Sequence, residues 1–121
     1  MRYKSSREGE VKQRKDYVKK IIFSHDDFKE KGHVLQLVTI PPKTKQRLHF
    51  HHRETEIYYI IEGSASVLIN DQEFAAKLGD AFITEPNDKH LVHNKSDKDF
   101  KLVVFKINMP KDNDDTFWIE K

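Results

Sequence analysis

His49-Phe50-His51-His52-Arg53-Glu54-Thr55-Glu56-Ile57-Tyr58-Tyr59-Ile60-Ile61-Glu62-Gly63 is the stretch on which the fold turns. Its apolar run, 57–61, is the longest unbroken one in the chain, far short of the roughly 20 residues that a membrane-spanning helix needs. Branched and aromatic side chains dominate it, as a pleated, half-buried surface favours. Alternate side chains of a strand share a face, so His49 and His51 point together while Phe50 and His52 point the other way. Glu56 has the wrong parity to join them on a continuous strand. A turn or bulge within Arg53-Glu54-Thr55 must therefore swing Glu56 back beside the two imidazoles, after which Glu56, Tyr58 and Ile60 line one face. Imidazole is the commonest neutral metal ligand, and ligands must converge on one point. His90 lies on a run whose parity suits a fourth donor.

Outward from this stretch the chain reads as short apolar runs divided by turn residues every eight to twelve positions. The runs are 17–23, 33–40, 46–52, 56–62, 64–69, 73–76, 80–84, 90–94 and 100–107, and the breaks fall at Gly32, Pro41-Pro42, Gly63, Asn70-Asp71, Gly79, Pro86-Asn87 and Pro110. Asn70-Asp71 is a good two-residue hairpin, because both residue types tolerate positive φ. Eight or nine strands with no convincing helix predict an all-β sandwich or barrel. Runs 57–61 and 102–105 are apolar at successive positions, which predicts cover on both faces. A small barrel covers one face only, so a second copy of the chain is the expected cover, making a homodimer.

His49-x-His51-x4-Glu56-x6-Gly63 and Gly79-Asp80-x5-Pro86-x3-His90-x3-Asn94 resemble the first and second motifs of the cupin superfamily, separated by 15 residues as in small single-domain members. The resemblance spans about residues 33–107 and fills all four metal-binding positions. It implies an antiparallel double-stranded β-helix, or jelly-roll barrel, binding one divalent transition metal ion through His49, His51, Glu56 and His90. Three imidazoles and a carboxylate suit Mn, Fe, Co, Ni or Zn better than Ca or Mg, and an octahedral ion would keep two positions open for water or substrate. The sequence departs from the family at Lys43, where a Gly usually stands, at Glu85, where a Pro does, and at Asn87, where a Gly does. The Pro42-Lys43-Thr44 turn is thus expected to take another conformation. Asn87 tolerates the left-handed region, so the turn before His90 survives. Glu85 reads as a surface residue.

Parity suggests the rest of a pocket. Arg47, two residues before His49, either holds a carboxylate or phosphate of a ligand at the cavity mouth or is a solvated strand-end cation. Tyr58 shares the face of Glu56. Phe82, and Phe105 with Val103 and Ile107, are expected to supply an apolar wall. These four, Arg47, Tyr58, Phe82 and Phe105, are the candidate substrate contacts; no catalytic residue is singled out. His52 and His93 face away from the ligands, and His25 and His33 read as isolated surface or core histidines.

Composition sets the limits. The 121 residues carry 22 Lys+Arg against 20 Asp+Glu, a net charge of +2, with 35% charged and 36% hydrophobic residues and no Cys. That length predicts one domain. The missing Cys excludes disulfides, thiolate metal sites and Cys nucleophiles. No apolar segment lies near Met1, and the expected compartment is the cytoplasm, without membrane association. Residues 1–16 read as a basic, polar arm, 17–109 as the barrel, and 110–121 as a tail whose Phe117, Trp118 and Ile119 pack on the barrel or on a partner subunit. Residues 1–20 hold eight basic and three acidic side chains, yet no helix-turn-helix or aromatic RNA-binding pattern accompanies them, so a nucleic-acid role is not expected. Three functions stay open. The favoured one is a metal-dependent enzyme of isomerase, dioxygenase or decarboxylase type acting on a small polar molecule. The others are a non-catalytic module that binds or senses a small molecule around a structural metal, and a metal-free structural barrel.

Overall fold

A computed structural model describes residues 1–111 and 114–121. Within them, twelve short strands and one turn of 3-10 helix at His25–Asp27 account for the regular structure. The first antiparallel sheet runs in the order β1 (Glu10–Gln13), β2 (Val18–Ser24), β3 (Val34–Ile40), β11 (Phe100–Ile107), β6 (Thr55–Glu62) and β9 (Ala81–Thr84). The second runs β12 (Thr116–Trp118), β5 (His49–His51), β10 (His90–Asn94), β7 (Ser64–Ile69) and β8 (Gln72–Lys77), with β4 (Thr44–Lys45) also paired to β10. The architecture is all-β, as the alternating runs predict, and the two facing antiparallel sheets form the jelly-roll barrel that the cupin resemblance implies.

The register stacks inward residues in rows across the first sheet. Ile60, Leu102 and Val38 form one row, Tyr58, Val104 and Gln36 the next, and Glu56 faces Lys106 in a third. One end of the barrel is therefore apolar, closed by Ile40, Ile60, Phe100 and Leu102, with Val67 and Val92 of the second sheet completing the core. The opposite end is polar, and it is there that the histidines of β5 and β10 arrive.

Turn chemistry fixes these ends. Ile69 pairs with Gln72, so Asn70-Asp71 is the two-residue hairpin, with Asn70 at φ 55°. Gly63, at φ 83°, turns β6 into β7; a Cβ there would lie 2.7 Å from the Asp99 carbonyl, a distance only glycine escapes. Asn87 takes the left-handed conformation, φ 74°, as its side chain permits. Lys43 does so too, at φ 55°. That conformation costs roughly 1–2 kcal/mol for a residue with a Cβ, while the Lys43 amide bonds the Ser96 carbonyl and its Nζ the Lys95 carbonyl.

Two expectations are corrected. Residues 10–13 are a strand on β2 rather than part of an irregular arm. Run 46–52 is strand only over His49–His51, residues 46–48 being irregular. As expected of one small barrel, the outer face of β6 is not covered within a single chain: Ile57, Tyr59 and Ile61 are 37%, 50% and 40% exposed.

Candidate metal centre

β5 and β10 lie side by side, with His49 directly opposite His90. Alternation then puts His51 on the same face as His49, and all three imidazoles are buried. Between β5 and β6 the chain bends at residues 52–54, the break that parity demands, and Glu56 returns to the same interior, also buried. The ligating atoms of His49, His51 and His90 lie within 4.8 Å of one another. Glu56 Oε1 stands 2.8 Å from His51 Nε2 and 3.4 Å from His90 Nε2. The four residues that the sequence singles out as ligands thus converge.

The tautomers point the same way. His49 Nδ1 donates to the Arg47 carbonyl at 2.8 Å, His90 Nδ1 to the Asp88 carbonyl at 2.9 Å, and His51 Nδ1 to the Asp115 carbonyl at 3.3 Å. A carbonyl only accepts, so each Nδ1 holds its proton and each Nε2 offers a lone pair inward. His51 Nε2 is buried and makes no hydrogen bond among the described residues, although Glu56 is near. Facing the Glu56 carboxylate at 2.8 Å, this nitrogen favours a positive partner, which a proton or a metal ion supplies equally well. The donor set fits a divalent transition ion.

Charge in the site is balanced by two residues that sequence reasoning missed. Lys106, buried on β11, lies 3.2 Å from Glu54 Oε1 and 3.9 Å from Glu56 Oε2. Burial opposes its charge, but the two carboxylates outweigh burial and raise its pKa. Burial likewise opposes ionisation of Glu56, yet Lys106 and the contacts with His51 and His90 hold it well below the usual carboxylate range. Glu54 is pushed up, by burial first. Burial and the neighbouring His90 bring His49 down from 6.5 to about 3, so it stays neutral and able to ligate at any ordinary pH. Burial lowers His51 as well, but Glu56 and Glu54 prevail and raise it.

Of the expected pocket residues, Tyr58 lies deepest. Its hydroxyl donates to Glu56 Oε1 at 2.6 Å and sits 3.2 Å from His90 Nε2. Burial and the Glu56 charge raise its pKa well above 10, so the proton remains on Oη. Phe82 stacks on the Tyr58 ring with centroids 4.6 Å apart and lines the cavity. Arg47 also lines it, but its fork is engaged by buried Asp16, with Nε to Oδ2 at 3.1 Å, and its guanidinium lies 3.8 Å above the Trp118 ring. Phe105 is a correction. β11 turns Leu102, Val104 and Lys106 inward, which sends Val103, Phe105 and Ile107 outward. Phe105 packs against Phe28 and His33 on the far face instead. Glu85 and His52 are exposed, as expected.

The tail supports the ligand strand. β12 pairs with β5, setting Trp118 opposite His49 and Thr116 opposite His51. The Asp115 carboxylate accepts the backbone N–H groups of Arg53 and Glu54 at 2.9 and 3.0 Å, pinning the bend that delivers Glu56. An acid just before an apolar triplet was the only signal for it in the sequence. Asp112 and Asn113, which also belong to the expected tail, lie outside the described residues.

Residues 36–106 match the cupin domain family over more than half of the chain. The chain belongs to the cupin family. Among proteins similar to this cupin is an oxalate-binding protein of Thermotoga maritima, 27% identical over 83 residues, 69% of each chain. An uncharacterised protein of Methanocaldococcus jannaschii is 31% identical over 64 residues, covering 53% of this chain, and the match spans only 51% of that relative's length. A solved structure of a predicted oxalate decarboxylase from T. maritima aligns over 77% of this chain and 81% of its own with TM-score 0.71 at 25% identity. The polyketide cyclase RemF of Streptomyces resistomycificus, at 17% identity, covers 100% of this cupin and 87% of its own chain with TM-score 0.80, a likeness of fold alone.

Proposed function

We propose that this cupin holds one divalent transition metal ion (Mn, Fe, Co, Ni or Zn) through His49, His51, Glu56 and His90, and uses it to act on a small carboxylate-bearing molecule in the barrel. The reaction type is that of a decarboxylase, isomerase or dioxygenase. The observation that carries the reading is the set of three imidazoles, each fixed through Nδ1 by a backbone carbonyl, whose ligand atoms lie within 4.8 Å of one another beside Glu56. Bound there, the ion supplies Lewis acidity toward a ligand oxygen. The chain's own groups supply the rest. Glu56 stays ionised under the influence of Lys106, Tyr58 keeps a proton on Oη to donate beside the ligand, and Phe82 and Val104 exclude water from the inner wall. A cavity of about 500 Å³ opens onto this site, within the range of small-molecule pockets.

A carboxylate ligand is supported by the oxalate-binding relative, and the word "binding" in that relative's name favours a second reading, a non-catalytic receptor around a structural metal. Mn-, Fe-, Co-, Ni- and Zn-loaded protein incubated with oxalate and small 2-oxo acids separates them. Release of CO2, uptake of O2 or isomerised product that is lost in Glu56→Gln supports the enzyme; saturable binding without turnover supports the receptor. Failure of every carboxylate to bind the metal-loaded protein contradicts both.

The same reading includes a homodimer. Ile57, Tyr59 and Ile61 on β6 and Ile83 on the edge strand β9 form one exposed apolar face, with Ile83 53% exposed. A second copy of the chain is the occupant that this self-complementary patch suits, since an isologous contact buries it twice.

A further inference from the structure

The cavity mouth carries charge that the metal site does not use. β1 and β2 extend the first sheet beyond β3, and the register puts Lys12 directly opposite Lys19 and Lys19 opposite inward-facing Val38. Both lysines and Arg14 line the cavity. Like charges facing each other across adjacent strands destabilise a sheet, so an anion bound between them would be stabilising.

Among the described residues only Glu10, beside Lys12, and Asp114, acting weakly on Lys19, supply any counter-charge. The cavity wall holds six basic side chains and two acidic ones. Arg47 is taken by Asp16, Lys106 by Glu54 and Glu56, and Lys111 by Asp26. Of the two wall acids, Glu56 belongs to the metal site and Asp114 is the weakest of the influences on Lys19. Lys12 reaches only the exposed Glu10, at 3.5 Å, while Lys19 and Arg14 form no ion pair among the described residues. Burial, then the charges of Lys106, Arg14 and Lys12, pull the Lys19 pKa from 10.5 to about 8, the mark of a cation short of counter-charge.

We propose that Lys12, Arg14 and Lys19 form an anion subsite at the cavity mouth, which holds a distal carboxylate or phosphate of the ligand whose other end reaches the histidines. Lys19 pairs with Val38, which shares a row with Leu102 and Ile60, and Lys106 is the strongest of the charges acting on it, so these cations face the same chamber as the histidines. The inference rests on reading the barrel as a ligand cavity but not on the metal.

Amide NMR titrations of the untagged protein, metal-free and metal-loaded, with inorganic phosphate and with malonate test it. Shifts confined to residues 12–19 and their neighbours on β3 are expected with either metal state, and 0.5 M NaCl, on the order of three times physiological ionic strength, should suppress them. Lys12→Gln/Lys19→Gln is expected to weaken the anion about tenfold while leaving metal content unchanged. Arg14→Gln, at an exposed position, repeats the test should the double variant fail to fold. Tighter phosphate assigns a phosphate end and tighter malonate a carboxylate end. Shifts scattered over the lysine-rich surface, or unchanged affinity in the variants, overturn the subsite. Loss of metal uptake with the 12–19 shifts intact would overturn the metal reading alone.

Discussion

Lys106 faces inward at the end of the apolar series Phe100, Leu102 and Val104, and two carboxylates explain why. Glu54 and Glu56 are both buried, and an unpaired buried charge costs several kcal/mol; Lys106 neutralises one of the two negative charges. Lys106→Met should therefore destabilise the metal-free protein by about 3–5 kcal/mol, read as a lower urea midpoint, with part of the loss recovered when a divalent ion is added. An unchanged midpoint would show that the carboxylates are protonated without it. His49 makes the other residue-scale prediction. Its folded pKa of about 3 lies below the unfolded 6.5, so the unfolded chain binds the extra proton. Its contribution is whole above pH 6.5 and is lost as pH falls toward 3, with a slope of about 1.4 kcal/mol per pH unit. His51, whose pKa is raised, acts in the opposite sense, so the comparison is with His49→Gln. Urea midpoints at pH 7, 5.5 and 4 should fall more steeply for the wild type than for the variant.

At the scale of elements, the bend between β5 and β6 is the feature on which the site depends, and its anchor comes from the tail. Asp115→Ala removes the acceptor for the Arg53 and Glu54 amides while leaving the four proposed metal ligands in place. Metal affinity should fall about 10–100-fold, as it does when groups supporting ligands are lost, with the strand content seen by circular dichroism retained; unchanged affinity would mean that the bend holds by itself. The bend was legible in the sequence, because Glu56 has the wrong parity for a straight strand. So was the Asn70-Asp71 hairpin. Phe105 was not legible. Residues 102–105 are apolar at every position, so alternation cannot say which parity faces in, and the charge of Lys106 argues for the wrong answer until Glu54 and Glu56 are seen beside it. β1 and β12 escaped for another reason. Glu10–Gln13 has no apolar face, and Val11 is exposed; its order comes from backbone pairing to β2. Thr116–Trp118 is too short to show a period.

The whole molecule divides its labour between two ends of one barrel, an apolar plug at Ile40, Ile60 and Phe100 and a polar chamber at Glu56, Lys106 and the three histidines. Outside, the apolar face of β6 and β9 marks where a second copy would dock. Sedimentation velocity of the wild type should give a dimer and Tyr59→Lys/Ile83→Lys a monomer; a wild-type monomer at all concentrations would refute the docking. The chamber is the central claim, and elemental analysis of untagged, chelator-free protein tests it most directly. The account predicts about one equivalent of a divalent transition metal per chain, lost in folded His51→Ala and His90→Ala. Metal content that survives both substitutions, or a wild-type protein that takes up none of Mn, Fe, Co, Ni or Zn, would contradict it.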